Sequence, residues 1–81
     1  MKTHKIVKVD WLDCASYNGW TRREKVSELD LYEAISCGIL VKSNKASIGV
    51  THSISKQDVD NVIVIPKKVI KKIEVIGQIK I

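Results

Sequence analysis

The segment Asn61-Val-Ile-Val-Ile-Pro-Lys-Lys-Val-Ile-Lys-Lys-Ile-Glu-Val-Ile76 places the tightest limit on what this chain can fold into. A proline has no N–H to give to a central ladder, so the run Val62 to Ile65 ends at Pro66 and a new element starts after it. Two continuations fit. As a helix, Val69, Ile70, Ile73 and Ile76 form one apolar stripe and Gly77 caps the C-terminus. As a strand, Pro66 to Val69 is a single 3₁₀ turn and Ile70 to Ile76 runs extended, with Ile73 and Val75 on the opposite face from Ile70 and Ile76. Composition weighs on the choice: valine and isoleucine dominate the apolar residues and phenylalanine is absent, and β-branched side chains suit a pleated, half-buried surface. The chain reads as mainly β and as one domain over residues 1–81. At that length a core is small and stability is a narrow surplus, so self-association would help it.

Upstream, Val7, Val9 and Trp11 alternate with Lys8, Asp10 and Leu12, the period-2 pattern of a first strand over residues 5–13. Residues 15–28 are polar and contain the turn pair Asn18-Gly19, which reads as a long loop; Tyr17 and Trp20 are the side chains available to pack it. Residues 27–36 carry both a cap-like Ser27/Asp30 pair and a strand-like alternation of Leu29, Leu31, Glu33 and Ile35, and are read as a short turn running into a strand. Gly38 marks a bend. Residues 39–41 and 46–50 form a hairpin about the turn at 43–45, and a polar connection over 55–60 leads to the strand before Pro66.

Charge is divided unevenly. Residues 1–40 hold six basic and six acidic side chains, whereas residues 41–81 hold eight lysines and three acids, so the whole formal excess of +5 lies in the second half. Lys67, Lys68, Lys71 and Lys72, joined by Arg22 and Arg23 of the loop, are the candidate residues for neutralising nucleic-acid phosphates. The plain alternative is that these lysines solvate a strand and discourage edge pairing. Trp11, Asp13, Ser16, Tyr17 and Trp20 gather three of the four aromatic side chains within ten residues, a set suited to a base, a small nucleotide or an anchor residue of a partner protein. Here the plain alternative is that the tryptophans cap a small core while the acid holds loop amides.

No catalytic signature emerges. Cys14, Cys37, His4 and His52 lack the paired spacing of a zinc site, the four glycines are too scattered for a phosphate loop, and no cofactor or metal is expected. The two cysteines are expected to be buried as small hydrophobes in a reducing compartment. No apolar run reaches the roughly 18 residues of a membrane span, and the N-terminus lacks a secretory core, so the expected location is the cytoplasm.

Three short patterns carry a resemblance: Trp11-x-Asp13-x-x-Ser16-x-x-Gly19-Trp20, Ser36-x-Gly38-x-Leu40-Val41 and Ile65-Pro66-Lys67-x-x-Ile70-x-x-Ile73. Together they resemble small bacteriophage-encoded proteins of undefined function, and the closing strand, turn and strand look like the end of an SH3-like or Sm-like small barrel. The resemblance implies a five-stranded, strongly bent barrel with a long loop after the first strand and a short 3₁₀ turn before the last. The chain lacks a clear version of the nucleotide-binding motifs of Sm-like rings. The reading that results is a non-enzymatic, homo-oligomeric binding module of the host cytoplasm that contacts RNA or DNA through its basic C-terminal surface. The competing reading is a phage accessory protein that binds a host protein, or sequesters a small nucleotide, through the loop from Trp11 to Trp20.

Overall fold

A computed structural model describes residues 2–81. The protein is mainly β. Strands β1 (Thr3–Asp13), β2 (Tyr32–Ser43), β3 (Ser47–Thr51), β6 (Ile63–Pro66) and β7 (Ile70–Lys80) form an antiparallel sheet in the order β6-β3-β2-β1-β7. The short strands β4 (Ser53–Ile54) and β5 (Val59–Asp60) pair in a separate hairpin within the polar connection after β3. Two 3₁₀ turns complete the chain, Arg23–Glu28 and Lys67–Val69.

The second of these turns forces the sheet to curl. In a flat sheet β6 and β7 would lie four strand spacings apart, about 19 Å. The three residues of the 3₁₀ turn are all that joins Pro66 to Ile70, and even a fully extended chain of that length reaches only about 14 Å. The outer strands are therefore brought round toward each other, and β2 does the bending: residues 32–39 pair with β1 while residues 39–43 pair with β3. Gly38 sits where the sheet folds over. A Cβ there would lie 2.5 Å from the Thr51 carbonyl oxygen and 2.7 Å from Val50 Cγ1, so no larger residue fits without moving backbone.

Inside the curl, Val7, Val9, Ile48, Val50 and Ile65 are buried, with Trp11, Leu40, Val69 and Ile70 packed against them. Thr51 is the buried polar residue; its hydroxyl accepts from the Ser53 N–H and reaches the Asp60 carbonyl, which ties the β4–β5 hairpin to the end of β3. The alternation expected for β1 is observed, and the segment after Pro66 takes the strand option rather than the helical one. Its side-chain phase differs from a simple alternation, however. Ile70 lies opposite Trp11 and Ile73 opposite Val9, with a register shift that leaves Lys71 as an extra residue. That bulge puts Ile70, Ile73 and Val75 on the core side together.

One further expectation is corrected. Cys14 and Cys37 are exposed: Cys37 pairs with Lys8, on the side of the sheet away from Val7 and Val9, and Cys14 lies beyond the end of β1. Residues 27–36 run from a turn into a strand, as expected; the strand begins at Tyr32, so Leu29 and Leu31 precede the β1–β2 ladder and are exposed.

The molecule is long for its size. Its radius of gyration is 16.2 Å with extents of 56 × 21 × 21 Å, against about 12 Å for a compact chain of this length. Strands of eleven and twelve residues span about 36–40 Å, so the connecting segments lengthen the axis at its ends.

Candidate functional site

The largest of those connections, residues 14–31 between β1 and β2, forms an arm. Every residue in it is exposed except Ala15, which is half-buried. A segment that buries so little apolar surface gets its shape from hydrogen bonds. At its base the Tyr17 hydroxyl donates to the Asp30 carbonyl at 2.6 Å, the Tyr32 hydroxyl reaches the Ser16 carbonyl at 3.4 Å, and the two rings stand 5.9 Å apart. Asp13 Oδ1 accepts from the Cys14 N–H and Asp30 Oδ1 from the Leu31 N–H, both at 2.8 Å, so each end of the arm is fixed by an aspartate bonding the following amide. Gly19 has φ +87°, a left-handed conformation that favours glycine. Immediately after it, Trp20 projects with 105 % exposure.

Beyond Trp20 the chain forms the 3₁₀ turn Arg23–Glu28, in which no residue is buried. Arg22 and Arg23 are exposed and make no ion pair among the described residues. Val26, Leu29 and Leu31 are exposed too. The arm thus presents a free indole, two guanidinium groups and three aliphatic side chains to solvent.

The aromatic set expected as one site is divided. Ser16, Tyr17 and Trp20 belong to the arm, whose shape Tyr17 helps to hold and from which Trp20 projects, and Asp13 is the last residue of β1 at its base. Trp11 belongs to the sheet: it packs at the core edge and donates from Nε1 to Ser36 Oγ at 3.0 Å. It also lines a cleft of about 370 Å³ with Lys8, Asp10, Glu33 and Lys71. Asp10 Oδ1 there is buried and has no hydrogen-bond partner among the described residues. The charges around the cleft balance, two lysines against two carboxylates, and the residues of the arm do not line it.

The four C-terminal lysines are divided as well. Lys71 Nζ lies 3.0 Å from Glu33 Oε1 and Lys72 Nζ lies 2.9 Å from Glu74 Oε1. The hydrogen bond and charge of Glu74 raise the pKa of Lys72, and those of Lys72 lower that of Glu74. Both pairs are exposed, where such contacts contribute little to stability. Lys67 and Lys68, in the turn before β7, have no acidic partner among the described residues. The Lys67 N–H donates to the Ala46 carbonyl at 2.8 Å, which sets this turn beside Lys45. Of the four lysines, the two without an acidic partner, Lys67 and Lys68, therefore sit beside Lys45 and not on β7.

What the sequence did not single out is the apolar content of exposed edges. On β7, Ile73, Val75 and Ile76 are 43, 55 and 54 % exposed. At the opposite end from the arm, Ile54, Val59 and Ile81 line an open cleft of about 440 Å³ with Lys2, His4 and Lys56 on its rim. Both follow from the order of strands, which no local pattern reports. Among the described residues no group of histidines, cysteines or carboxylates is arranged to hold a metal ion, and no helix is long and apolar enough to cross a membrane. No family model, curated protein or solved structure matches the chain.

Proposed function

We propose that this chain is a non-enzymatic binding module that docks on a partner protein through the arm of residues 14–31, with Trp20 as the anchor. In this reading the curled sheet is an SH3-like or Sm-like small barrel, a reading supported by its strand order and by the 3₁₀ turn before the last strand. The resemblance to phage-encoded proteins makes a host protein the expected partner.

One observation carries the proposal: an arm whose shape is fixed at its base leaves Trp20 fully exposed, with Val26, Leu29 and Leu31 uncovered nearby. Tryptophan and arginine are the residues most enriched where binding energy concentrates, and a rigid indole gives contact area at low entropic cost. Exposed aliphatic side chains favour a protein over a nucleic acid, which offers phosphates and base faces but little surface for leucine.

A second reading, nucleic-acid binding, has its own support in the unpaired Lys67 and Lys68 beside Lys45. Binding there is dominated by counterion release and weakens steeply with salt.

The two are separated by quantitative pull-downs from host lysate, run beside titrations with a labelled single-stranded RNA. The docking reading expects a protein retained at moderate salt, unaffected by Lys67→Glu/Lys68→Glu and weakened about thirty-fold by Trp20→Ala, the equivalent of about 2 kcal/mol. Capture that ignores Trp20→Ala, with RNA binding that falls on adding salt and on reversing the two lysines, overturns it in favour of the second reading.

A further inference from the structure

We infer that β7 is the contact surface for a second copy of this chain, joined edge to edge in an antiparallel pair centred on Ile73. This surface lies apart from the arm, and one of its ladders carries a mismatch. Val7 and Val9 are fully buried, yet Val75 and Ile73, their partners on the same side of the sheet, are 55 and 43 % exposed. Val7 and Val9 lie in a strand with neighbours on both sides, whereas β7 has a neighbour on one side and none on the other. An eleven-residue edge that leaves Ile73, Val75 and Ile76 exposed is an open template for another strand. The other edge, β6, is a poorer one: it has four residues and ends in Pro66, which has no N–H to offer.

The sequence of β7 says which strand fits. Laid antiparallel on itself about Ile73, the regular stretch of β7 between its two register shifts sets Ile73 against Ile73 and Lys72 against Glu74 in both directions. Cross-strand apolar pairs and opposite charges are the units that stabilise an antiparallel ladder. Neighbouring registers are worse: centring on Glu74 faces Glu74 with itself, and centring on Ile76 faces Lys72 with Lys80. The register about Ile73 is apolar at its centre and sets opposite charges against each other on both flanks. The pair is isologous and closes as a dimer, extending two five-stranded sheets into one and covering Ile73 and Val75.

Light scattering over a concentration series tests this. The wild-type chain is expected to reach twice the chain mass. Lys72→Glu and Glu74→Lys are each expected to weaken the dimer about ten-fold or more, since each faces like charges twice. An equimolar mixture of the two variants is expected to regain wild-type affinity, because each position then meets an opposite charge across the interface, although neither chain regains its internal Lys72–Glu74 contact. A monomeric wild type, single variants that dimerise undiminished, or a mixture no tighter than its components overturns the inference. So does a ring or open filament, which would join β6 to β7 head to tail. Should either charge variant fail to fold by circular dichroism, Ile73→Cys in a Cys14→Ser/Cys37→Ser background decides instead: oxidation is expected to link two copies through residue 73, while Val64→Cys on β6 stays unlinked. The reverse pattern contradicts the assignment.

Discussion

Val7, Val9, Ile48, Val50 and Ile65 are withdrawn from water in the curled sheet, while Trp20, Val26, Leu29 and Leu31 stand exposed in the arm. Both regions hold large apolar side chains, and they differ in what lies beside them. In the sheet each strand of the core has neighbours that turn apolar side chains to a shared interior, so burial and backbone hydrogen bonding reinforce one another. In the arm the backbone is held by two tyrosines and two aspartates, and its apolar side chains have nothing to pack on. Apolar content alone therefore does not make a core; the same residue types stabilise the fold in one place and stay exposed in the other.

The sharpest way to test that division is to remove a side chain from the core. Ile65→Ala is expected to cost about 3–4 kcal/mol, read as a fall in the urea midpoint, since a fully buried isoleucine leaves a cavity that β3 and β7 cannot fill. In a domain this small that is a large part of total stability. A loss under about 1 kcal/mol would place the core elsewhere.

Gly38→Ala is expected to be next, at about 2 kcal/mol in the same measurement, because the added methyl meets the Thr51 carbonyl and the Val50 side chain where the sheet folds over. A neutral outcome would mean that β2 bends at another position.

In the arm the expected effects on global stability are small. Tyr17→Phe removes the hydroxyl that bonds Asp30 and is expected to shift the urea midpoint by less than the equivalent of about 0.5 kcal/mol. Tryptic cleavage at Arg22, Arg23 and Lys25 should rise about five-fold, the factor that corresponds to roughly 1 kcal/mol of local opening. Cleavage that stays constant, or a midpoint that falls with it, would show that the arm and the sheet are not separate units.

Much of the sheet was legible in the sequence. The alternation of Val7, Val9 and Trp11 marks the buried side of β1, and Pro66 marks the break before β7, because both are consequences of local geometry. The phase of β7 was not legible: the bulge at Lys71 arises from pairing with Asp10 and Trp11 sixty residues earlier in the chain. Charge read along the chain misled for the same reason, since Glu33, thirty-eight residues from Lys71, is brought against it only by folding. In the arm, Trp20 could be singled out as an indole in a polar loop. That Leu29 and Leu31 share its exposure could not, because their alternation is indistinguishable from that of a paired strand until the partner strand is seen to be missing.

If the sheet folds without the arm and the arm serves binding, the two can be separated by deleting the arm. Asp13 pairs with Tyr32 at the end of the β1–β2 ladder, so replacing residues 14–31 by Asn-Gly should join the two strands through a two-residue hairpin turn. Thermal unfolding of this shortened chain, followed by circular dichroism, is the test. A melting temperature equal to or above that of the full chain, with capture of the partner protein abolished, is the predicted result. A shortened chain that does not fold, or one that still captures the partner, would contradict the account.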